Sequence, residues 1–156
     1  FVGVGVHQML LSHELAHQWF GNAVTPARWQ DIWLNESFAT YGQWLWLDHI
    51  GEQSLEEAAQ MALTSRFIGS TGEPSVPELF SFNTYDGGAV VLHALRLRLG
   101  DDAFFTMLQR WVAENNGTSR TTQQFIELAE DVAGGSLSEF FDTWLFAEQL
   151  PSQFPR

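Results

Sequence analysis

Apolar residues recur at three- and four-residue spacing along most of the chain, and strict apolar–polar alternation is scarce. That period predicts a mainly α fold. A first helix is expected over residues 6–20. Gly21, Asn22, Thr25 and Pro26 then break the pattern over 21–28. A second helix should start near Trp33 and run to about His49, ending at Gly51. Later starts carry capping-box patterns: Ser54-Leu-Glu-Glu57, Thr121-Thr-Gln-Gln124 and Ser136-Leu-Ser-Glu139. Asp101 and Asp102 can cap a helix over 103–114, and Gly100, Gly117 and Gly134-Gly135 sit where helices should stop. The stretch 70–84 is irregular, with Pro74 and Pro77, and reads as a long loop of the kind that lines a cleft. It leads into Tyr85-Asp-Gly-Gly-Ala89 and a further helix.

Size and composition fit one domain over 1–156: 156 residues, 45% hydrophobic and 14% aromatic, enough to bury a sizeable core. The absence of cysteine excludes disulfides, thiolate metal sites and a cysteine nucleophile. A formal charge of −12 disfavours nucleic acid as a partner. It could draw a peptide's ammonium group into a cleft, although a solubilising surface is the simpler reading. No apolar run reaches membrane-spanning length. The compartment stays open between cytoplasmic and secreted. The opening FVGVGV begins at Phe1 and reads like the middle of a domain, so a longer parent chain is expected.

One stretch changes the picture. HELAHQWFGN, at 13–22, places His13 and His17 four residues apart, on one helix face. Both rings can therefore point at one ion. Glu14 is offset by about a quarter-turn, which suits a carboxylate acting on water beside the metal rather than on the metal itself. Catalytic zinc ordinarily takes three protein ligands and keeps one position open. Glu36, in WLNESFA at 33–39, is the candidate third ligand; eighteen residues separate it from His17. Two helices packed as a hairpin would bring it to the open side of the histidine pair. The competing reading is a solvated helix face with Glu36 as an ordinary surface charge. Thr40 and Asp31 can orient a ligand ring or serve as surface or capping groups. His7, His49 and His93 lack partners at ligand spacing and read as core-edge or solvated residues. Trp29, Trp33, Trp44, Trp46, Trp111 and Trp144 fall among helical apolar positions and read as core. Trp19 and Phe20 suit either a cleft wall or packing beneath the zinc helix.

These residues have a family resemblance. HELAHQWFGN at 13–22 and WQDIWLNESFATY at 29–41 resemble the aminopeptidase N family of zinc metallopeptidases, which includes the leukotriene hydrolase type. The similarity runs on through YDGGAVVLHALR at 85–96 to FFDTWL at 140–145. The resemblance implies a thermolysin-like helical catalytic subdomain holding one Zn²⁺ per chain. His13, His17 and Glu36 would be ligands, Glu14 the general base, and Tyr85 the group that hydrogen-bonds the tetrahedral oxyanion. Two features depart from the family. A lysine often follows that tyrosine by two residues, where this chain has Gly87. The upstream GAMEN-type segment, whose glutamate helps hold a free amino group, has no match before His13. A β-rich N-terminal domain is also unmatched. The implied chain is the zinc-bearing helical part of a catalytic domain, with the upstream domain as its partner. The implied activity is release of N-terminal residues from peptides with a free amino terminus. A zinc endopeptidase and a non-catalytic helical interaction module are the alternatives.

Overall fold

Val90, Val91, Leu92, Ala94 and Leu95 are all fully buried, so the first part of their helix is enclosed on every side and sits at the centre of the molecule. The computed structural model describes residues 2–65 and 69–155. In chain order its main elements are α1 (Val2–Ala16), β1 (Val24–Pro26), α2 (Trp33–His49), α3 (Leu55–Thr64), α4 (Gly88–Leu99), α5 (Asp101–Asn115), β2 (Thr118–Arg120), α6 (Thr122–Ala133) and α7 (Ser138–Phe141). Wide π-helical turns precede α4, at Asn83–Gly87, and follow α7, at Asp142–Phe146. The fold is mainly α, as the periodicity predicts. α1, α3, α4 and the first wide turn pack on α2, while α5 links α4 to α6. Phe38 joins these layers: its ring lies 4.6 Å from Phe20 and 5.3 Å from Phe125, which in turn meets Trp111 at 5.4 Å.

α2 has the predicted bounds, but other expectations shift. α1 ends at Ala16 rather than 20, and turns carry the chain from His17 into β1. β1 pairs in parallel with β2, Val24 opposite Thr118, a link too short and too distant in sequence to show as alternation. The Thr121–Gln124 capping box forms, and Ser54 accepts from Glu57 N–H. The Ser136 box does not: Glu130 takes the Ser136 hydroxyl at 3.0 Å and the Leu137 N–H at 2.8 Å, and α7 starts at Ser138. Asp101 does not cap its helix either, because Arg96 engages both its oxygens at 2.8 Å. Trp33, Trp44, Trp111 and Trp144 are buried as expected, whereas Trp29 and Trp46 are exposed.

Asp31 shows how the loop before α2 is fastened. Its fully buried carboxylate accepts from Thr122 N–H at 3.0 Å and the Thr122 hydroxyl at 2.8 Å, at the positive end of α6, and from Arg28 at 3.1 Å. Burial opposes its ionisation, but the bonds from Arg28 and Thr122 outweigh that and hold the carboxyl below its ordinary value. A carboxyl depressed on folding stabilises fully above its unfolded pKa, about 4, and loses that contribution as pH falls through the folded value. Asp31→Asn should therefore cost about 3 kcal/mol at neutral pH in urea unfolding, with solvent screening limiting the exposed Arg28's share. The gap from the unmodified protein should narrow below about pH 4. Parallel acid curves for the two proteins would show that the Asp31 charge carries none of it.

Candidate metal centre

His17 N–H bonds to His13 carbonyl at 3.3 Å, so the one-turn spacing survives although α1 proper has ended. The two rings sit 4.8 Å apart, at 86° to each other. Glu36, in the first turn of α2, closes the set: its Oε2 lies 3.5 Å from His13 Nε2 and 3.4 Å from His17 Nε2. All three side chains are largely buried, between 12% and 19% exposed. Two donors each ~2.0–2.1 Å from a tetrahedral ion stand roughly 3.3 Å apart. The observed separations therefore fit a zinc-sized ion.

The hydrogen bonds fix which ring nitrogen of His17 faces the cluster. His17 Nδ1 is 2.9 Å from the Phe20 carbonyl, which can only accept. Nδ1 must then carry a proton, which leaves Nε2, the nitrogen facing Glu36, as the one that would bind an ion on losing its own proton. Gly21 makes the turn that presents this carbonyl. Its φ of +138° suits glycine, and a Cβ there would lie 3.3 Å from the His17 carbonyl and 3.4 Å from Nδ1. Burial resists ionisation of Glu36, but hydrogen bonds from His13 and His17 prevail and hold its carboxyl at about 2. The reciprocal bond from Glu36 raises His17 against the opposing effect of burial. Glu36 is thus an anion, as a carboxylate ligand must be.

A cavity of about 600 Å³ opens over this cluster, lined by His13, His17, Glu36, Glu14, Gln43 and Tyr85 among others. His13, Glu14, His17, Glu36 and Tyr85, the residues given metal-binding or catalytic roles from the sequence, all line this one space. Tyr85 comes from the wide turn at Asn83–Gly87, its ring stacked 6.0 Å from His13 at 22°. Burial and the Glu36 carboxylate raise its hydroxyl above the ordinary phenol value. Next to it, burial pushes Asp86 up to about 6, against the lowering effects of its own N–H and of His13.

Other expectations fall away. Thr40 Oγ1 donates to the Glu36 carbonyl at 2.8 Å, not to a ring. Asp31 fastens α6 instead of a histidine. His93, read as core-edge or solvated, is fully buried, with Nδ1 3.2 Å from the Tyr41 hydroxyl and its ring 4.8 Å from Phe154. Gln43 was not anticipated, yet it stands two helical turns after Glu36, a spacing that puts it on the same face. Periodicity alone could have found it.

The chain belongs to peptidase family M1: the model of the peptidase family M1 domain matches residues 6–144. It is 32% identical over 153 residues to an aminopeptidase N of Lactococcus lactis subsp. lactis, covering 88% of this chain and 18% of that protein. It is 29% identical over 161 residues to aminopeptidase M1-C of Oryza sativa subsp. japonica, covering 90% of this chain and again 18% of the relative. Among solved structures, an M1 zinc metallopeptidase variant from Deinococcus radiodurans, bound to a Tyr-Ser-Ala substrate, superposes with a TM-score of 0.84 at 35% identity. That match covers 95% of this chain and 34% of the other. The chain thus spans about a fifth of the length of the curated relatives it matches. No described helix is long and apolar enough to cross a membrane.

Proposed function

We propose that this chain is the zinc-bearing helical part of an aminopeptidase that hydrolyses the first peptide bond of substrates with a free amino terminus. The observation that carries the reading is the meeting of His13 Nε2 and His17 Nε2 on Glu36 Oε2, at 3.5 and 3.4 Å, in the lining of one cavity. The names of the relatives and the zinc metallopeptidases among its structural neighbours support it.

His13, His17 and Glu36 would hold the ion, which when bound supplies a Lewis acid for the scissile carbonyl and a lowered pKa for water. The chain's other groups divide the remaining work. Glu14, beside His13 but outside the donor set, takes the proton of the attacking water on its carboxylate and passes it to the leaving amine. The Tyr85 hydroxyl donates to the oxyanion as the carbonyl carbon becomes tetrahedral. The Phe20 carbonyl keeps the His17 ring turned and its tautomer fixed throughout.

The test pairs elemental analysis with two substrates, using the full-length protein. Purified and dialysed protein should hold one zinc per chain and cleave a free peptide, while an N-acetylated version of that peptide resists. Equal cleavage of both would replace the aminopeptidase with an endopeptidase. A folded protein without zinc or activity would overturn the reading in favour of a non-catalytic module.

A further inference from the structure

We propose that Ser37 is a positioning residue that sets Tyr85 against the metal centre; the inference rests on the oxyanion role given to Tyr85 above. Ser37 follows Glu36 directly on α2, and Thr84 directly precedes Tyr85. The fully buried Ser37 hydroxyl donates to the Thr84 carbonyl at 2.6 Å, across 47 residues of sequence. A single short hydrogen bond therefore ties the neighbour of a ligand to the neighbour of the oxyanion donor.

The turn that carries Tyr85 needs such an anchor. Asn83–Gly87 is π-helical, a wide and infrequent geometry that tends to mark functional sites. Hydroxyls from outside hold two successive carbonyls of this turn: Thr71 donates to Asn83 at 3.2 Å, and Ser37 to Thr84. Thr71 and Thr84 are themselves buried. The approach of α2 is close enough to dictate the residue at 88. A Cβ on Gly88 would lie 1.8 Å from Ser37 Oγ and 2.5 Å from its Cβ, which no side-chain shift could absorb. Ser37 and Gly88 thus form a lock between α2 and the start of α4, with Tyr85 held one residue from the bolt.

The geometry has a kinetic consequence. Tyr85 acts only as the oxyanion forms, so loosening it should slow turnover without weakening substrate binding. In the zinc-loaded full-length protein, Ser37→Ala should lower kcat about tenfold and leave KM and zinc content unchanged. Ser37→Cys, which keeps a weaker donor in similar space, should fall between the two. Tyr85→Phe should lower kcat by about 10²-fold, and adding Ser37→Ala to it should lower kcat no further. An unchanged kcat in Ser37→Ala, or a loss that persists in full beside Tyr85→Phe, would overturn the proposal. A fully active Tyr85→Phe would instead overturn the oxyanion role itself, and the Ser37 proposal with it. Should Ser37→Ala fail to fold, the same cycle is run with Ser37→Cys.

Discussion

Replacing Glu36 with alanine is expected to abolish zinc retention through dialysis and, with it, peptide hydrolysis. The carboxylate is the shared partner of both histidines, 3.5 Å from His13 Nε2 and 3.4 Å from His17 Nε2. Its removal leaves two imidazoles one helical turn apart, a poor site for an ion that takes three protein ligands. The loss in affinity should exceed the ~10–100-fold that follows removal of an outer-shell partner. The fold should persist, because Glu36 faces the cavity while Leu34, Phe38 and Tyr41 hold α2 in the core. Glu36→Gln is the sharper control: it keeps the volume and loses the charge, and it should lose the metal too. Elemental analysis beside circular dichroism reads both effects. Zinc retained at one per chain by a well-folded Glu36→Ala protein would remove Glu36 from the ligand set.

What could be read from the sequence depended on how far apart the partners lie along it. His13 and His17 share a helical turn, so their spacing translates directly into geometry. α2 was visible for the same reason, since its limits at Trp33 and His49 follow the local pattern and Gly51. Glu36 needed one further step, the packing of α1 on α2, which periodicity suggests but does not specify. Tyr85 was beyond local rules altogether. It reaches His13 through a π-helical turn, and only family resemblance singled it out. Long-range bonds likewise left no trace: Asp31 meets Thr122 across 91 residues, and Ser37 meets Thr84 across 47. Capping patterns failed where a side chain from the end of the preceding helix competed, as Glu130 did for Ser136 and Arg96 for Asp101. Trp29, read as core from its neighbours, lies exposed with Phe80 at 6.2 Å, because the short turn Trp29–Asp31 points Asp31 inward instead.

Glu14→Gln should separate binding of the metal from its use. Glu14 lines the same cavity as the donors but is not one of the three atoms that converge, and its side chain stands exposed to that space. Glutamine preserves its length and one hydrogen-bond acceptor, and removes the charge and with it the ability to take a proton. Zinc should therefore remain at one per chain and KM should change little, while kcat falls by about 10²–10⁴-fold, the range for losing a positioned general base. The pairing with Glu36→Ala is what gives the result its meaning. One variant should lose activity together with the metal, the other with the metal in place, and no general loosening of the fold would produce that split. Normal turnover by zinc-loaded Glu14→Gln would move the proton transfer to another group. Asp86, a partly buried carboxyl beside Tyr85 that burial raises to about 6, would be the next to replace.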